Sequence, residues 1–407
     1  MKSVLTSFFL LSFITALLCA SFLSFGYDRT WGFWNIPTMT PHFADLRTIT
    51  HGAETYRSGL DPMLENTEDP WQRPLNYPRI WQILFLSGLN RSHTTILGII
   101  VIGLFFLGIC LSLYQAGTAA ILLTMLAVIS PATMLGIERA NSDLLIFFIL
   151  ATGIFASNRS QMILAASIFG ATVFKLYPAV AIFSLINEKK SDFKKFFLGT
   201  ATLIAIYFLY ISADIAIISK NTPAGTHLSY GFNVFWMEFF KINYQLGSVT
   251  RLLSHVFLLG ILLQTIKKTT ANNDNRLDNT TLTSFRAGAS IYIGTFLIGN
   301  NWDYRLIFLI LTIPFLAGLF QQSGRQNKFL SSITLFSIFL SMWSLLLNDI
   351  PFLNKNRLIM FIIDETGNWL IFFGLLQILV ISLPVWTKNI LNTQLSSHKT
   401  RIDDNHA

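Results

Sequence analysis

Residues 40–47 read TPHFADLR and lie at the centre of a polar segment, Tyr27 to Ser92, between two long apolar runs. Thr40 is a favourable N-cap residue, and Pro41 is favourable at the first position of a helix. Gly59 is typical of the residue at which a helix ends. The pattern therefore predicts a helix over residues 41–57. At about 100° per residue its apolar side chains share one face, with Asp45 at the border. Such a helix is expected to lie on a membrane surface with a carboxylate at its rim.

The composition excludes a water-soluble domain. Hydrophobic residues make up 52% of the 407 residues and charged residues only 12%, whereas soluble proteins carry about 25% charged residues. Apolar runs of roughly 18 to 22 residues recur along the chain, and each is long enough to cross about 30 Å of hydrocarbon. The predicted fold class is therefore all-α, a polytopic helical membrane protein.

About twelve membrane spans are expected, within a range of about 10 to 13 because three segments are short. The predicted spans cover residues 4–25, 93–114, 118–135, 142–157, 161–174, 178–188, 195–218, 247–266, 287–299, 304–320, 329–347 and 368–386. The N-terminal run is long for a signal peptide and lacks a clean cleavage site, which favours an uncleaved first span. We expect one integral-membrane domain over residues 1–390, a first extracytoplasmic loop over residues 26–92, and a disordered tail over residues 391–407.

The basic residues indicate the orientation of the spans. With the N-terminus inside, the short cytoplasmic loops hold the pairs Lys189-Lys190, Lys194-Lys195 and Lys267-Lys268 and are richer in Lys and Arg than the short outer loops. This favours two cytoplasmic termini in the cytoplasmic (inner) membrane. The net charge of +8 is scattered over loops and does not indicate a nucleic-acid partner. Cys19 and Cys110 lie in apolar runs and indicate no disulfide framework.

Four polar clusters fall on the predicted outer side, each at or next to a span end. They are Asp45, residues 138–143 (ERANSD), residues 174–178 (FKLYP) and residues 300–305 (NNWDYR). Polar and ionisable groups at membrane depth cost about 2.5–3.5 kcal/mol each and tend to line functional cavities. Four such clusters on one side of the membrane predict one shared site.

The residues in these clusters favour a group transfer. The sequence has no HExxH, no DxD pair, no Walker loop and no GxGxxG after a strand, so it indicates neither a metal site nor a nucleotide-phosphate cradle. What remains is a carboxylate at a membrane rim, cations at span ends, and aromatic side chains. Transfer from a lipid phosphate needs that set, because a base removes the acceptor proton, cations stabilise the leaving phosphate, and aromatic faces support a sugar ring.

The same segments resemble the GT-C superfamily of integral-membrane glycosyltransferases, and most of all glycosyltransferase family 87. The similar elements are Asp45 in the first outer loop, residues 59–63 (GLDPM, for G-x-D-P-Y), residues 76–78 (NYP, for Y-P-P), residues 138–143 (for R-G-N-x-D), residues 175–178 (for K-x-x-P) and residues 303–305 (for D-Y-R). Met63 and Arg79 stand where the family has Tyr and a second Pro. These two departures from the family pattern bear on the details of the sugar pocket more than on the fold.

The resemblance implies inverting transfer of one sugar, a mannose-like hexose or a pentose, from a polyprenyl-phosphate donor to an extracytoplasmic glycan or glycolipid. Asp45 would be the general base. Arg305, with Lys175 or Arg139, would neutralise the departing phosphate, and Asp303 would orient Arg305. The other residues expected to bind substrate are Tyr304, Asn141, Tyr77 and Asp61. Membrane lipids are the remaining partner, and neither a metal nor a cofactor is indicated beyond the lipid-linked donor.

Each of these residues also has a structural interpretation. Asp45 is a carboxylate that the dipole of a first helical turn favours, and Lys175 and Arg139 are cations that can snorkel at span ends. Glu138 can pair with Arg139. The other structural roles are an ion pair between Asp303 and Arg305, capping of the fourth span by Asn141 and Asp143, a turn at Asp61, and an interfacial aromatic belt that includes Tyr77 and Tyr304.

A second class of function is a multi-spanning transporter or flippase for a lipid or sugar of cell-envelope polysaccharide synthesis. Such proteins place ionisable or Gly/Pro-broken segments near the bilayer midplane in two related halves. Here the polar clusters gather on one side and the halves show no evident symmetry, which favours the transferase. An O-antigen-type ligase or polymerase is a further alternative, but its large outer loop usually comes late in the chain, whereas here the dominant loop comes first.

Overall fold

The structure, a computed structural model, describes residues 2–186, 190–268, 278–322 and 324–387. Helices account for most of these residues, and a single two-stranded antiparallel sheet is present among them. The predicted all-α class is therefore confirmed. The predicted tail, residues 391–407, lies outside the described residues.

Long and short helices alternate along the chain. The α-helices, numbered in chain order, are α1 Lys2–Phe25, α2 Tyr27–Gly32, α3 Ala44–Arg57, α4 Trp81–Phe85, α5 Thr94–Ser112, α6 Thr118–Val128, α7 Pro131–Arg139, α8 Asp143–Ala156, α9 Gln161–Phe174, α10 Lys190–Tyr210, α11 Ser212–Asn221, α12 Val234–Ile242, α13 Tyr244–Lys268, α14 Asn279–Ile298, α15 Ile313–Gln322, α16 Arg325–Met342, α17 Ser344–Leu347, α18 Pro351–Lys355 and α19 Arg357–Ile381. The 3-10 helices cover Arg91–His93, Tyr177–Leu185 and Asp303–Thr312, and the strands are β1 Ser229–Tyr230 and β2 Asn301–Trp302.

Several helices have the length and apolarity that a membrane span requires. In the described part of the chain six helical segments qualify, namely Ser3–Phe25, Arg91–Ser112, Lys190–Tyr210, Tyr244–Thr265, Asp303–Gln321 and Arg357–Ile381. A seventh span is possible if α6 and α7 are counted as one, but they meet at a bend of 55°. Pro131 begins α7 at that bend, because proline lacks the N–H that a continuous helix would need there. A membrane-spanning helical protein is thus supported, while the count of twelve stays a prediction.

The first loop folds back over α3 and buries it. The helix predicted for residues 41–57 begins at Ala44, because Phe43 has a left-handed backbone with φ of 63°, and it ends at Arg57 as predicted. Its apolar side chains pack against others of the same loop in a small separate core: Leu46, Ile49, Ala53, Met63, Leu75, Tyr77, Trp81 and Phe85. The apolar face of α3 is therefore covered by protein, and the position of this helix relative to the membrane stays a prediction.

The two-stranded sheet holds the segment before the last 3-10 helix in place. Ser229 pairs with Trp302 and Tyr230 with Asn301. The N–H of Asp303 continues this contact by donating to the carbonyl of Leu228 at 2.9 Å. The segment that carries Arg305 is thereby tied to the loop between α11 and α12.

A close backbone approach beside this sheet predicts intolerance of any side chain at position 231. Gly231 has φ of 145°, and a Cβ there would lie 1.6 Å from the carbonyl oxygen of Gly299. We expect Gly231→Ala to lower the free energy of unfolding by more than about 1 kcal/mol, because the left-handed backbone and the clash both oppose a side chain. The measurement is the melting temperature of the protein purified in detergent.

The matched control is Gly260→Ala, because a Cβ at that position of α13 meets no atom within 4 Å. Alanine is the better helix former, so this variant should melt at or above the temperature of the unchanged protein. Equal melting temperatures for both variants would contradict the close approach of Gly231 to the carbonyl oxygen of Gly299.

Candidate functional site

Asp45 contacts two polar residues that are distant from it in sequence. It lies in the first turn of α3, and its side chain is 19% exposed. Its Oδ2 accepts a hydrogen bond from Nδ2 of Asn141 at 2.6 Å, and its Oδ1 lies 3.4 Å from Nη1 of Arg73. The first-loop carboxylate is therefore held between a cation of its own loop and the segment that follows α7.

Asn141 reaches Asp45 because the chain turns sharply after α7. Ala140 has a left-handed backbone with φ of 44° and ψ of 47°, which ends the helix. The side-chain oxygen of Asn141 accepts from the N–H of Asp143 at 2.9 Å and from Nζ of Lys175 at 3.1 Å. The first of these bonds satisfies a backbone donor at the start of α8, as a capping role predicts.

A fully buried carboxylate joins two cations next to this amide. Asp143 pairs through Oδ1 with Nζ of Lys175 and lies through Oδ2 at 3.3 Å from Nε of Arg305. Lys175 follows the last residue of α9, and Arg305 lies in the first turn of the 3-10 helix Asp303–Thr312. A buried charge is stable only when it is paired, so these three residues hold three segments of the chain together.

Further contacts fix the guanidinium of Arg305. Its Nη1 donates to Oδ1 of Asn301 on β2, and its plane lies 4.3 Å from the ring centroid of Tyr177. An arginine has five N–H donors on three nitrogens. Two of the nitrogens bond Asp143 and Asn301, and the hydrogen bonds described for this part of the chain do not use the third, Nη2.

Aromatic side chains line the cluster on the side of the first loop. The Nζ of Lys175 lies 5.1 Å from the ring centroid of Tyr77, and that ring packs against Trp81 at 5.6 Å between centroids. The indole N–H of Trp81 donates to the carbonyl of Phe174 at 2.9 Å, which joins the first loop to the end of α9. Burial, and then the negative charge of Asp45, raises the pKa of Tyr77 above its ordinary value. Tyr77 is therefore a neutral phenol at physiological pH.

Arg73 is a member of the cluster that sequence reasoning missed. Its Nη2 lies 3.1 Å from Oδ2 of Asp69 and 2.5 Å from the carbonyl oxygen of Ala44, and its guanidinium stacks on Trp71 at 4.7 Å. The spacing of four residues between Asp69 and Arg73 is the only sequence signal for this pair, and it is common in any polar loop. No pattern in the chain connects it to Asp45.

Two of the predicted substrate-binding residues lie in other contacts. Arg139 is 3.1 Å from the carboxylate of Glu138 and donates to the carbonyl of Pro37 at 2.8 Å, so the alternative pairing with Glu138 is confirmed. Asp61 pairs with Arg79 at 2.5 Å and accepts from the N–H of Met63 at 3.0 Å, which is the predicted turn. Neither side chain contributes to the hydrogen bonds and ion pairs around Asp45.

The expected orienting partner of Arg305 is also corrected. The carboxylate that contacts Arg305 is Asp143 rather than Asp303. In a 3-10 helix a turn takes three residues, so side chains two positions apart point in different directions. Tyr304, between them, packs near Gly136 of α7.

The charged side chains of the cluster are joined in ion pairs. Its ion pairs join three carboxylates to three cations, namely Asp45, Asp69 and Asp143 with Arg73, Lys175 and Arg305. Within the described residues no group of three or more His, Cys, Asp or Glu side chains is placed to hold a metal ion. The arrangement can accept a proton at a partly exposed carboxylate and can bind an anion at the neighbouring cations.

Comparison of the chain with family models, with curated proteins and with solved structures found no match. The function is therefore argued from the residues of the site.

The shared carboxylate predicts a large loss of stability on substitution. Asp143→Asn leaves the buried cations Lys175 and Arg305 without their counter-charge, so we expect the free energy of unfolding to fall by about 3–5 kcal/mol. Equilibrium unfolding in mixed detergent micelles measures this change.

The matched control is Glu54→Gln, which removes the charge of a surface ion pair between the partly exposed Glu54 and the exposed Arg91. An exposed pair contributes about 0–1 kcal/mol, so this variant should unfold almost as the unchanged protein does. A loss of the same small size in Asp143→Asn would mean that the two cations do not depend on this carboxylate.

Proposed function

We propose that the protein is a GT-C-type membrane glycosyltransferase with about twelve spans, which moves one sugar from a polyprenyl-phosphate donor to an extracytoplasmic glycan or glycolipid. The observation that carries the proposal is the unbroken series of polar contacts from Asp45 through Asn141 to Lys175, Asp143 and Arg305. It puts a carboxylate able to act as a base next to cations able to bind a phosphate.

Asp45 is the proposed general base. Of the two carboxylates in this series, Asp143 is fully buried between cations, whereas Asp45 is partly exposed. Among the contacts of the described residues its Oδ1 has only the long one of 3.4 Å with Arg73, so it is the atom that accepts the proton of the acceptor hydroxyl. The acceptor oxygen then attacks the anomeric carbon from the face opposite the phosphate, and the configuration inverts.

Arg305 and Lys175 stabilise the leaving group. As the bond between the anomeric carbon and the phosphate oxygen breaks, both electrons of that bond go to the oxygen. In this proposal the developing charge is bound by the donors of Arg305 that its contacts with Asp143 and Asn301 leave unused. Because Asp143 already holds both cations in position, little reorganisation is needed when the charge appears.

The carrier lipid is proposed to lie along the short helix α4. This helix follows Tyr77 and begins with the buried Trp81, whereas Ile83 and Leu86 are exposed. An apolar surface therefore begins next to the charged cluster. An isoprenoid chain on this surface would leave its phosphate near Lys175.

Substitution of the proposed base predicts a loss of transfer. Asp45→Asn keeps the shape of the side chain but cannot accept the proton, so we expect the transfer rate to fall by about 10²–10⁴-fold. The measurement is incorporation of label from a panel of radiolabelled polyprenyl-phosphate sugars into membrane glycans. Membrane insertion of the variant should be normal.

Asp28→Asn is the matched control, because Asp28 is an exposed carboxylate of the same loop that bonds only Thr38 among the contacts described. It should transfer sugar at the unchanged rate. Normal turnover in Asp45→Asn would remove Asp45 from the mechanism, and a panel without any turnover in the unchanged protein would count against the transferase itself.

The proposed orientation makes a separate prediction about accessibility. In a variant without Cys19 and Cys110, a cysteine at the exposed position of Glu65 should react with a membrane-impermeant maleimide in intact cells. A cysteine at the exposed position of Arg159, between α8 and α9, should react only after the cells are permeabilised. The reverse pattern would place the site on the cytoplasmic side.

A further inference from the structure

We infer that Asn141 is a positioning residue for Asp45, whose amide both orients the carboxylate and connects it to the phosphate-binding cations. This inference deepens the proposed function and rests on it for the identity of the base. Asn141 is almost fully buried, and its side chain contacts Asp45, Lys175 and the backbone of Asp143. It is the only side chain in the described structure that bonds both Asp45 and Lys175.

The partners of Asn141 determine which way its amide points. The ammonium of Lys175 and the backbone N–H of Asp143 can only donate, so the atom that faces them must be the amide oxygen. The NH₂ group then has to face Asp45, whose ionised carboxylate can only accept. The contact of 2.6 Å between Nδ2 of Asn141 and Oδ2 of Asp45 is therefore a hydrogen bond, and it requires that Oδ2 carries no proton.

This hydrogen bond determines the orientation of the Asp45 carboxylate. It occupies Oδ2 and so fixes the rotation of the group, which leaves Oδ1 for the acceptor. Lys175 strengthens the bond, since a cation on the amide oxygen polarises the N–H groups on the same amide.

Asp45 has other charged and titratable neighbours, and they remain in place when only Asn141 is changed. These neighbours are Arg73 and Tyr77 of the first loop, Glu138 of α7, Lys175 after α9 and Tyr304 of the last 3-10 helix. A substitution at residue 141 alone therefore changes only the contribution of this side chain.

The test is Asn141→Asp, which replaces the NH₂ donor by an oxygen of almost the same size. The oxygen that is kept can still accept from Lys175 and from the N–H of Asp143. The oxygen that replaces the NH₂ group faces Asp45 as part of a second carboxylate, and so as a like charge. Two carboxylates at such a distance hold a proton to higher pH. We expect the acid limb of the pH–rate profile of transfer to move to higher pH by about 1 unit or more, with kcat lowered at neutral pH more than KM is raised.

A second readout does not depend on transfer. Infrared titration of the purified protein reports the Asp45 carboxyl band, which is identified by its loss in Asp45→Asn. Its midpoint should move to higher pH in Asn141→Asp and, by a smaller amount, in Asn141→Ala, which removes the donor without adding a charge. The matched control is Asn354→Asp, an equal change at an exposed position of α18, which should leave both midpoints unchanged.

The outcomes separate this inference from the proposed function. If the Asp45 midpoint moves as expected but the unchanged protein transfers no sugar, Asn141 positions Asp45 and the transferase proposal fails. If transfer is observed and neither the rate profile nor the infrared midpoint moves in Asn141→Asp, the inference is overturned. A merely structural role would lower the yield of folded protein and leave both midpoints where they were.

Discussion

Burial of the Asp143 carboxylate is the constraint on which the described cluster depends. An ionised group removed from water costs several kcal/mol unless a counter-charge meets it at close range. Here Lys175 and Arg305 supply that charge from segments more than thirty and more than one hundred and fifty residues further along the chain. The start of α8, the end of α9 and the last 3-10 helix must therefore come together before the fold is stable.

The sequence predicts that distant polar segments share one site, because ionisable groups at the ends of apolar spans are costly and tend to gather on one side. The structure brings together Asp45, Asn141, Lys175 and Arg305 as this argument anticipates. This argument does not predict which side chain pairs with which. The motifs show that polar segments come together, but not how one segment is aligned against another. Arg73, in particular, reaches Asp45 through the folding of a loop whose path no periodicity encodes.

The composition predicts the fold class, but it does not predict whether lipid or protein covers the apolar face of each helix. Apolar periodicity correctly gives Leu46, Ile49 and Ala53 as buried, but it does not predict the burial of His51 and cannot distinguish lipid from protein as the cover. In this chain the cover is protein, since the core around these residues includes side chains from later in the same loop. Asp45 lies where this loop meets the segment that follows α7.

The left-handed turn at Ala140 fixes the backbone that carries Asn141 in the folded protein itself. A residue with a Cβ loses roughly 1–2 kcal/mol in this conformation, yet Ala140 is held there by bonds from its own N–H to Ile137 and from that of Asn141 to Gly136. The loss of conformational entropy on ordering the turn at Ala140 and Asn141 thus occurs during folding. The Asn141 side chain therefore bonds Asp45 from a backbone that is already ordered, and no further ordering is needed to form that contact.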